Sequence, residues 1–191
     1  MSTKLKAGTA TSGAVIDADT TGILELQSGS TPTTAVTIDA SQNVAFSKGF
    51  TVGVTAAPAF SAYANADLSI PNSSATKVLF QTEEWDTNNN FASSRFTPTV
   101  AGYYQFNAQI SWSAANNSRN VIYLYRNGNI YKVGNDFSGN NNVSNCVSCI
   151  GYANGTTDYF EIYCIQLSGG SLTLANAAYN TWFTGAMIRS A

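Results

Sequence analysis

The sequence contains no histidine, and only 10% of its 191 residues are charged. The first absence removes the commonest general base and the commonest metal ligand. A Ser-His-Asp or Cys-His catalytic arrangement cannot be assembled from this chain alone. The formal net charge of −2 gives no electrostatic basis for gripping a polyanion, so no nucleic-acid partner is expected. No G-x-G-x-x-G or G-K-[ST] phosphate loop occurs. No window approaches the roughly 18 apolar residues that a bilayer span requires, so no membrane insertion is expected. Met1-Ser2-Thr3-Lys4-Leu5-Lys6 is not followed by an apolar run, as a secretory signal would be. Folding in a cytoplasm is the expectation. Three cysteines, Cys146, Cys149 and Cys164, are an odd number and form no disulfide framework. The Cys146-x-x-Cys149 pair lacks the two further ligands of a zinc site, and the three are expected as buried free thiols.

What is present is uneven. Ser, Thr and Asn supply 62 of the 191 residues, and aromatics 12%. Residues 1–57 hold only two aromatics, Phe46 and Phe50, one asparagine and eleven threonines. The remaining 134 residues hold 21 aromatics and 19 asparagines. That shift places a domain boundary at 57/58. In the first part, Ile23–Leu26, Ala35–Asp39 and Asn43–Phe46 alternate as strands between turn-forming residues. This arm has too few large apolar residues for its own core. It becomes ordered by packing against copies of itself, the second domain or a larger assembly, or it is a flexible linker.

The second part reads as all-β. In Gly102–Trp112, Tyr104, Phe106, Ala108, Ile110 and Trp112 fall on one face, and Tyr103, Gln105, Asn107, Gln109 and Ser111 on the other. Further strands are expected at 58–65, 76–82, 94–98, 121–126, 143–152, 159–167, 171–175 and 182–189. Many short strands with Asn- and Gly-rich connectors suggest a sandwich or jelly roll. The strand at 159–167 is apolar or aromatic on both faces, with Phe160, Ile162 and Cys164 opposite Tyr159, Tyr163 and Ile165. A monomeric sandwich sheet would have one wet face. Either loops of the same chain cover the second face, or neighbouring subunits do.

The run Phe80-x5-Asp86-x4-Phe91-x4-Phe96-x5-Gly102-x-Tyr104-x-Phe106 resembles the globular domain of complement C1q, one of the TNF-like jelly rolls. Pro58–Ala62, Arg126-Asn127-Gly128 and Phe183–Ile188 resemble that family's opening strand, strand-end turn and closing strand. The loop Ala92–Arg95 is two residues shorter than the family pattern, and the pattern's last aromatic falls at Ala108. The resemblance covers residues 58–191. It implies a ten-stranded jelly roll that assembles as a homotrimer. Tyr103, Gln105, Tyr159, Tyr163 and Trp182 are then candidates for the subunit interface.

Some members of that family bind calcium, and Asp86-x-Asn88-x-Asn90 places oxygen ligands at alternate positions. The pattern departs from a calcium-binding EF-hand loop, with Phe91 at the sixth position and Thr97 at the twelfth. It reads equally as an Asn-rich turn. No other cofactor is indicated. Glu83 and Glu84 are adjacent and point to opposite sides of a strand, unlike the facing carboxylates of a glycosidase. With the chain entering and leaving at one end, the far end is expected to carry the loops 64–75, 113–120, 153–157 and 175–181. Their Asn116, Asn117, Arg119, Asn154, Tyr179 and Asn180 are candidate receptor contacts or plain solvated loop.

In the arm, Glu25–Gly29 and Ala35–Val44 resemble segments of bacteriophage fibre shafts and virion attachment regions. Together the parts imply a non-enzymatic virion protein. Residues 1–57 would anchor it to a capsid or tail protein, and a trimeric knob at the virion surface would meet a host glycan or receptor. A bacterial cell- or spore-surface C1q-like protein would favour a Gly-X-Y stalk, which is absent. A secreted C1q-like lectin is disfavoured by the missing signal.

Overall fold

The computed structural model describes residues 23–28, 33–46, 57–114, 117–139 and 144–191. The chain divides into two compact units, Met1–Val54 and Thr55–Ala191. In the first, β1 (Leu24–Ser28), β2 (Thr33–Ile38) and β3 (Val44–Phe46) form an antiparallel sheet. Asp39 closes the β2–β3 turn, where its carboxylate accepts the Ser41 and Asn43 amides at 2.9 Å. Ile23, Leu26 and Val44 remain exposed, as the shortage of large apolar residues leads one to expect.

The second unit contains β4 (Ala59–Tyr63), β5 (Leu68–Ile70), β6 (Thr76–Lys77), β7 (Thr82–Asp86), β8 (Phe91–Ala92) and β9 (Arg95–Phe96). It continues with β10 (Gly102–Ser111), β11 (Ser118–Arg126), β12 (Asn129–Gly139), β13 (Ser144–Ala153), β14 (Phe160–Gln166), β15 (Leu172–Leu174) and β16 (Trp182–Ser190). Two sheets carry the fold. The first has the order β13-β10-β16-β4-β7, and the second β12-β11-β14-β9-β8, with β6 paired to β14. β5 and β15 form a short separate pair. The paired strands are antiparallel throughout the described residues, and the chain crosses repeatedly between the sheets, which is the expected jelly-roll sandwich.

Alternation in β10 is complete. Tyr104, Phe106, Ala108 and Ile110 are buried, while Tyr103 faces away from the core at 44% exposure. Between the sheets lies an aromatic core. Phe60 stacks on Phe96 and Phe91, with ring centroids at 4.4 and 4.8 Å, and meets Phe183 edge-on at 4.8 Å. Phe106 packs on Phe160 at 4.3 Å. Such pairs add about 0.5–1.5 kcal/mol each beyond their area burial. Phe80, Phe91, Phe96, Tyr104 and Phe106, the aromatics of the sequence motif, are all core residues.

Four strands depart from the sequence reading: β5 and β8 lie where no strand is expected, β7 begins where the strand expected at 76–82 ends, and β12 is the fourth. No strand is expected between 126 and 143, yet β12 fills Asn129–Gly139 as an eleven-residue edge strand. Register shifts in its pairing with β11 break the period that would have revealed it. Because β12 runs back to the far end, β13 starts there and runs toward the opposite end. The Ala153–Thr157 loop therefore lies at the end where the chain enters and leaves, not at the far end. Gly102 opposite both Ala153 and Ser190 fixes that placement. At the same end the Met187 amide donates to the Pro58 carbonyl at 2.9 Å.

Candidate functional site

The outer face of the five-stranded sheet carries a group of exposed apolar and aromatic side chains. Tyr103 lies opposite Tyr152, and Gln105 opposite Ile150. Tyr103, Ile150, Tyr152 and Ile188 are all exposed. Gln105 is half-buried, its amide donating to Ser148 Oγ at 3.0 Å. Trp182 is half-buried opposite Tyr63. Tyr103, Gln105 and Trp182 therefore share this face, as expected. Ile150, Tyr152 and Ile188 join them unforeseen. The alternation of β13, with its even-numbered residues outward, is the signal that identifies the first two.

Tyr159 and Tyr163 stand elsewhere, on the outer face of the six-stranded sheet. Tyr163 stacks on Tyr125 at 4.1 Å, and burial raises both hydroxyls above their usual pKa. Arg95 lies over the Tyr159 ring at 3.9 Å. Between them Glu161 is almost wholly buried and accepts from Lys77 Nζ at 2.6 Å and from Arg95 Nε at 2.8 Å. Burial pushes the Glu161 carboxyl up, but the hydrogen bonds from Lys77 and Arg95 outweigh it, and the net shift is downward. Arg95 is raised by the same hydrogen bond. The five interface candidates thus occupy two different faces of the sandwich.

The candidate receptor residues also separate. Tyr179 is 79% exposed at the far end, where Gln109 Nε2 donates to the carbonyls of Tyr179 and Asn180. Arg119 is at the same end, bound to both oxygens of Asp136. Asn117 is exposed there, and Asn116 lies outside the described residues. Asn154 is at the opposite end, a correction that follows from the unforeseen β12. Its Oδ1 accepts the amides of Thr156, Thr157 and Asp158, which makes it the closer of a tight turn.

Asp86, Asn88 and Asn90 lie in one loop, but their oxygens serve that loop. Asp86 Oδ1 accepts the Asn88 amide at 3.2 Å, and Oδ2 the Phe91 amide at 2.7 Å. Asn90 Oδ1 accepts the Thr99 amide, and Asn88 Oδ1 the Thr87 hydroxyl. Each of these side-chain oxygens accepts from a donor of the chain, which is the Asn-rich turn that the sequence also suggests. Among the described residues no group of three Cys, Asp or Glu gathers for a metal.

The three thiols also differ from one another. Cys164 is buried, and burial pushes its pKa up to about 12. Cys149 is half-buried, whereas Cys146 is exposed on the Tyr103 face rather than buried as expected. Buried amides were not legible in the sequence. Asn145 accepts from Trp112 Nε1 at 2.8 Å and donates to the carbonyls of Asn120 and Asn135. Gln166 donates to the carbonyls of Ile70 and Gly170 and accepts the Ser168 amide. Asn145 thereby ties β13 to β11 and β12, and Gln166 ties the 168–170 loop and β5 to β14.

No family model matches the chain, and no curated protein sequence matches it. Solved structures do. The globular domain of zebrafish complement 1qA matches with a TM-score of 0.53 at 18% identity, over 70% of this chain and 99% of that one. Murine APRIL matches with 0.52 at 12% identity, over 69% and 98%. The Eiger TNF of S. frugiperda matches with 0.52 at 10% identity, over 71% and 95%. The fold is therefore the one shared by C1q and TNF-type globular domains.

Proposed function

We propose that this chain is a non-enzymatic virion structural protein that works as a homotrimer. Its residues 1–57 anchor it to a capsid or tail protein, and its jelly-roll unit stands as a knob at the virion surface. The observation that carries the trimer is the exposed row of Tyr103, Ile150, Tyr152 and Ile188 on a sheet face with few charges. Contiguous exposed apolar patches of this kind mark association surfaces. Tyr is among the residues enriched there. The resemblance of the knob to C1q-like domains and of the arm to phage fibre segments supports the same reading. Far-end loops carrying Tyr179, Asn180, Asn117 and Arg119 would meet a host glycan, with weak sites combined over three subunits.

Sedimentation equilibrium of the full chain tests the assembly, with three times the chain mass expected and a monomer overturning it. Immunogold labelling of purified phage particles tests the location. Removal of residues 1–54 is expected to leave a folded knob that no longer labels particles. Labelling that survives the truncation contradicts the anchor.

A further inference from the structure

The segment after β7, together with β6, encloses a cleft of about 470 Å³ whose lining includes Lys77, Asn89, Asn90, Arg95, Thr97 and Thr99. That volume is within the range of small-molecule sites. Its cationic side chains are held in place. Arg95 is fixed by two contacts, its Nε on Glu161 and its plane over Tyr159. Lys77 Nζ is held by Glu161 and by the Ser93 carbonyl at 2.9 Å. The two terminal nitrogens of Arg95 make no hydrogen bond among the described residues, and the side chain is 43% exposed. The guanidinium is thus a preorganised fork with its carboxylate-binding edge unpaired.

Two cations against the one Glu161 carboxylate leave a single net positive charge. The neutral lining adds donors and acceptors. The Asn89 amide and the Thr97 hydroxyl make no hydrogen bond among the described residues, whereas Asn90 and Thr99 bind each other. We propose that this cleft binds an acidic saccharide, with its carboxylate on Arg95 and its hydroxyls on Asn89 and Thr97. A monoanion matches the net charge. A phosphate dianion would be opposed by Glu161. The cleft is at the β8–β9 edge of the six-stranded sheet, away from the Tyr103 face, so a monomer carries it as well as a trimer. It does not depend on the trimer or on the far-end loops.

Saturation-transfer NMR on the full chain, with galacturonic acid, galactose and inorganic phosphate as probes, tests the cleft. Galacturonic acid is expected to bind at least about tenfold more tightly than galactose, the size of one charge-assisted contact. Arg95→Gln is expected to abolish that preference, and Thr97→Val to weaken galacturonic acid about threefold. Equal binding of galactose, or an unchanged preference in Arg95→Gln, overturns the proposal. Phosphate binding as tightly as galacturonic acid marks an adventitious ion only and also overturns it. Where Arg95→Gln does not fold by near-ultraviolet circular dichroism, Thr97→Val decides, an unchanged constant counting against the cleft. A Tyr103→Glu chain made monomeric is expected to retain the site, which separates this outcome from that of the trimer.

Discussion

Tyr103 of β10 and Tyr152 of β13 face each other across the sheet with ring centroids 5.5 Å apart, on the side away from the core. Both are exposed, although a tyrosine pair gains most when water is excluded from it. Ile150, two residues before Tyr152 on the same face, extends the surface. A carboxylate placed there meets no penalty in an isolated chain and a large one inside a dry interface. Tyr103→Glu and Ile150→Glu are therefore expected to yield folded monomers by sedimentation, with the near-ultraviolet dichroism of the parent. Trimers that persist in both variants would place the subunit contact on another surface.

Glu161 and Asp158 are expected to set the acid limit of the second unit. Burial opposes ionisation of each, but Lys77 and Arg95 on Glu161, and Arg126, Asn127 and the Asn154 amide on Asp158, lower both in the folded state. A carboxyl with a depressed folded pKa stabilises the fold above its unfolded value, and that contribution is lost as pH falls through the folded value. With ordinary values of 3.8 for Asp158 and 4.5 for Glu161, the loss falls below about pH 4.5. Thermal unfolding followed from pH 7 to pH 2.5 is expected to show a falling midpoint in that window. Glu161→Gln should flatten the fall while costing about 1–2 kcal/mol at pH 7. The cost is toward the low end of a charged hydrogen-bond pair because Arg95 is partly solvated. An unchanged acid limb in Glu161→Gln contradicts this assignment.

Gly185 of β16 shows how tightly the aromatic core closes. A Cβ there would come within 2.7 Å of Phe60 and 2.9 Å of Phe106. Phe60 is stacked on Phe96 and Phe106 is packed at a tilt on Phe160, so neither ring can retreat freely. Gly185→Ala is expected to lower stability by about 1–3 kcal/mol, the usual cost of overpacking, despite alanine's better strand entropy. Urea unfolding of the variant checks it, and a loss below about 0.5 kcal/mol would mean that the core yields more than its packing suggests.

Legibility in the sequence followed locality. β10 could be read because ten residues alternate without interruption and its neighbours β13 and β16 bury the same side. The core aromatics could be read because their spacing matches a known motif. β12 could not, since register shifts break its alternation and Gly134 stands in the middle where a strand usually carries a side chain. That glycine has a tertiary cause. Its Cβ would collide with the Cys146 carbonyl and with Ile122, at the point where the two sheets close together. The cleft was hidden for a similar reason. Lys77, Arg95 and Glu161 are far apart in sequence, and only the pairing of β6 and β9 with β14 brings them to one place. Tyr159 and Tyr163 were grouped with Tyr103 because both are outward aromatics, and sequence periodicity does not tell one outer face of a sandwich from the other.

The loop of Asp86 tests whether an acidic, asparagine-rich turn in this fold serves an ion or the chain itself. Asp86 accepts the Asn88 and Phe91 amides on its two oxygens, and Phe91 is a core residue stacked on Phe60. The carboxylate therefore carries the chain from β7 into β8 and seats a core ring. Removing it leaves two amides to find water at the loop surface and loosens that ring. Asp86→Ala is expected to cost about 1–3 kcal/mol, and Asp86→Asn less, since one oxygen remains. The decisive feature is that neither loss depends on calcium. Melting of the parent and of both variants in chelator and in millimolar calcium chloride should give the same differences. A parent midpoint that rises with calcium, and does not rise in Asp86→Ala, would restore the ion to this loop.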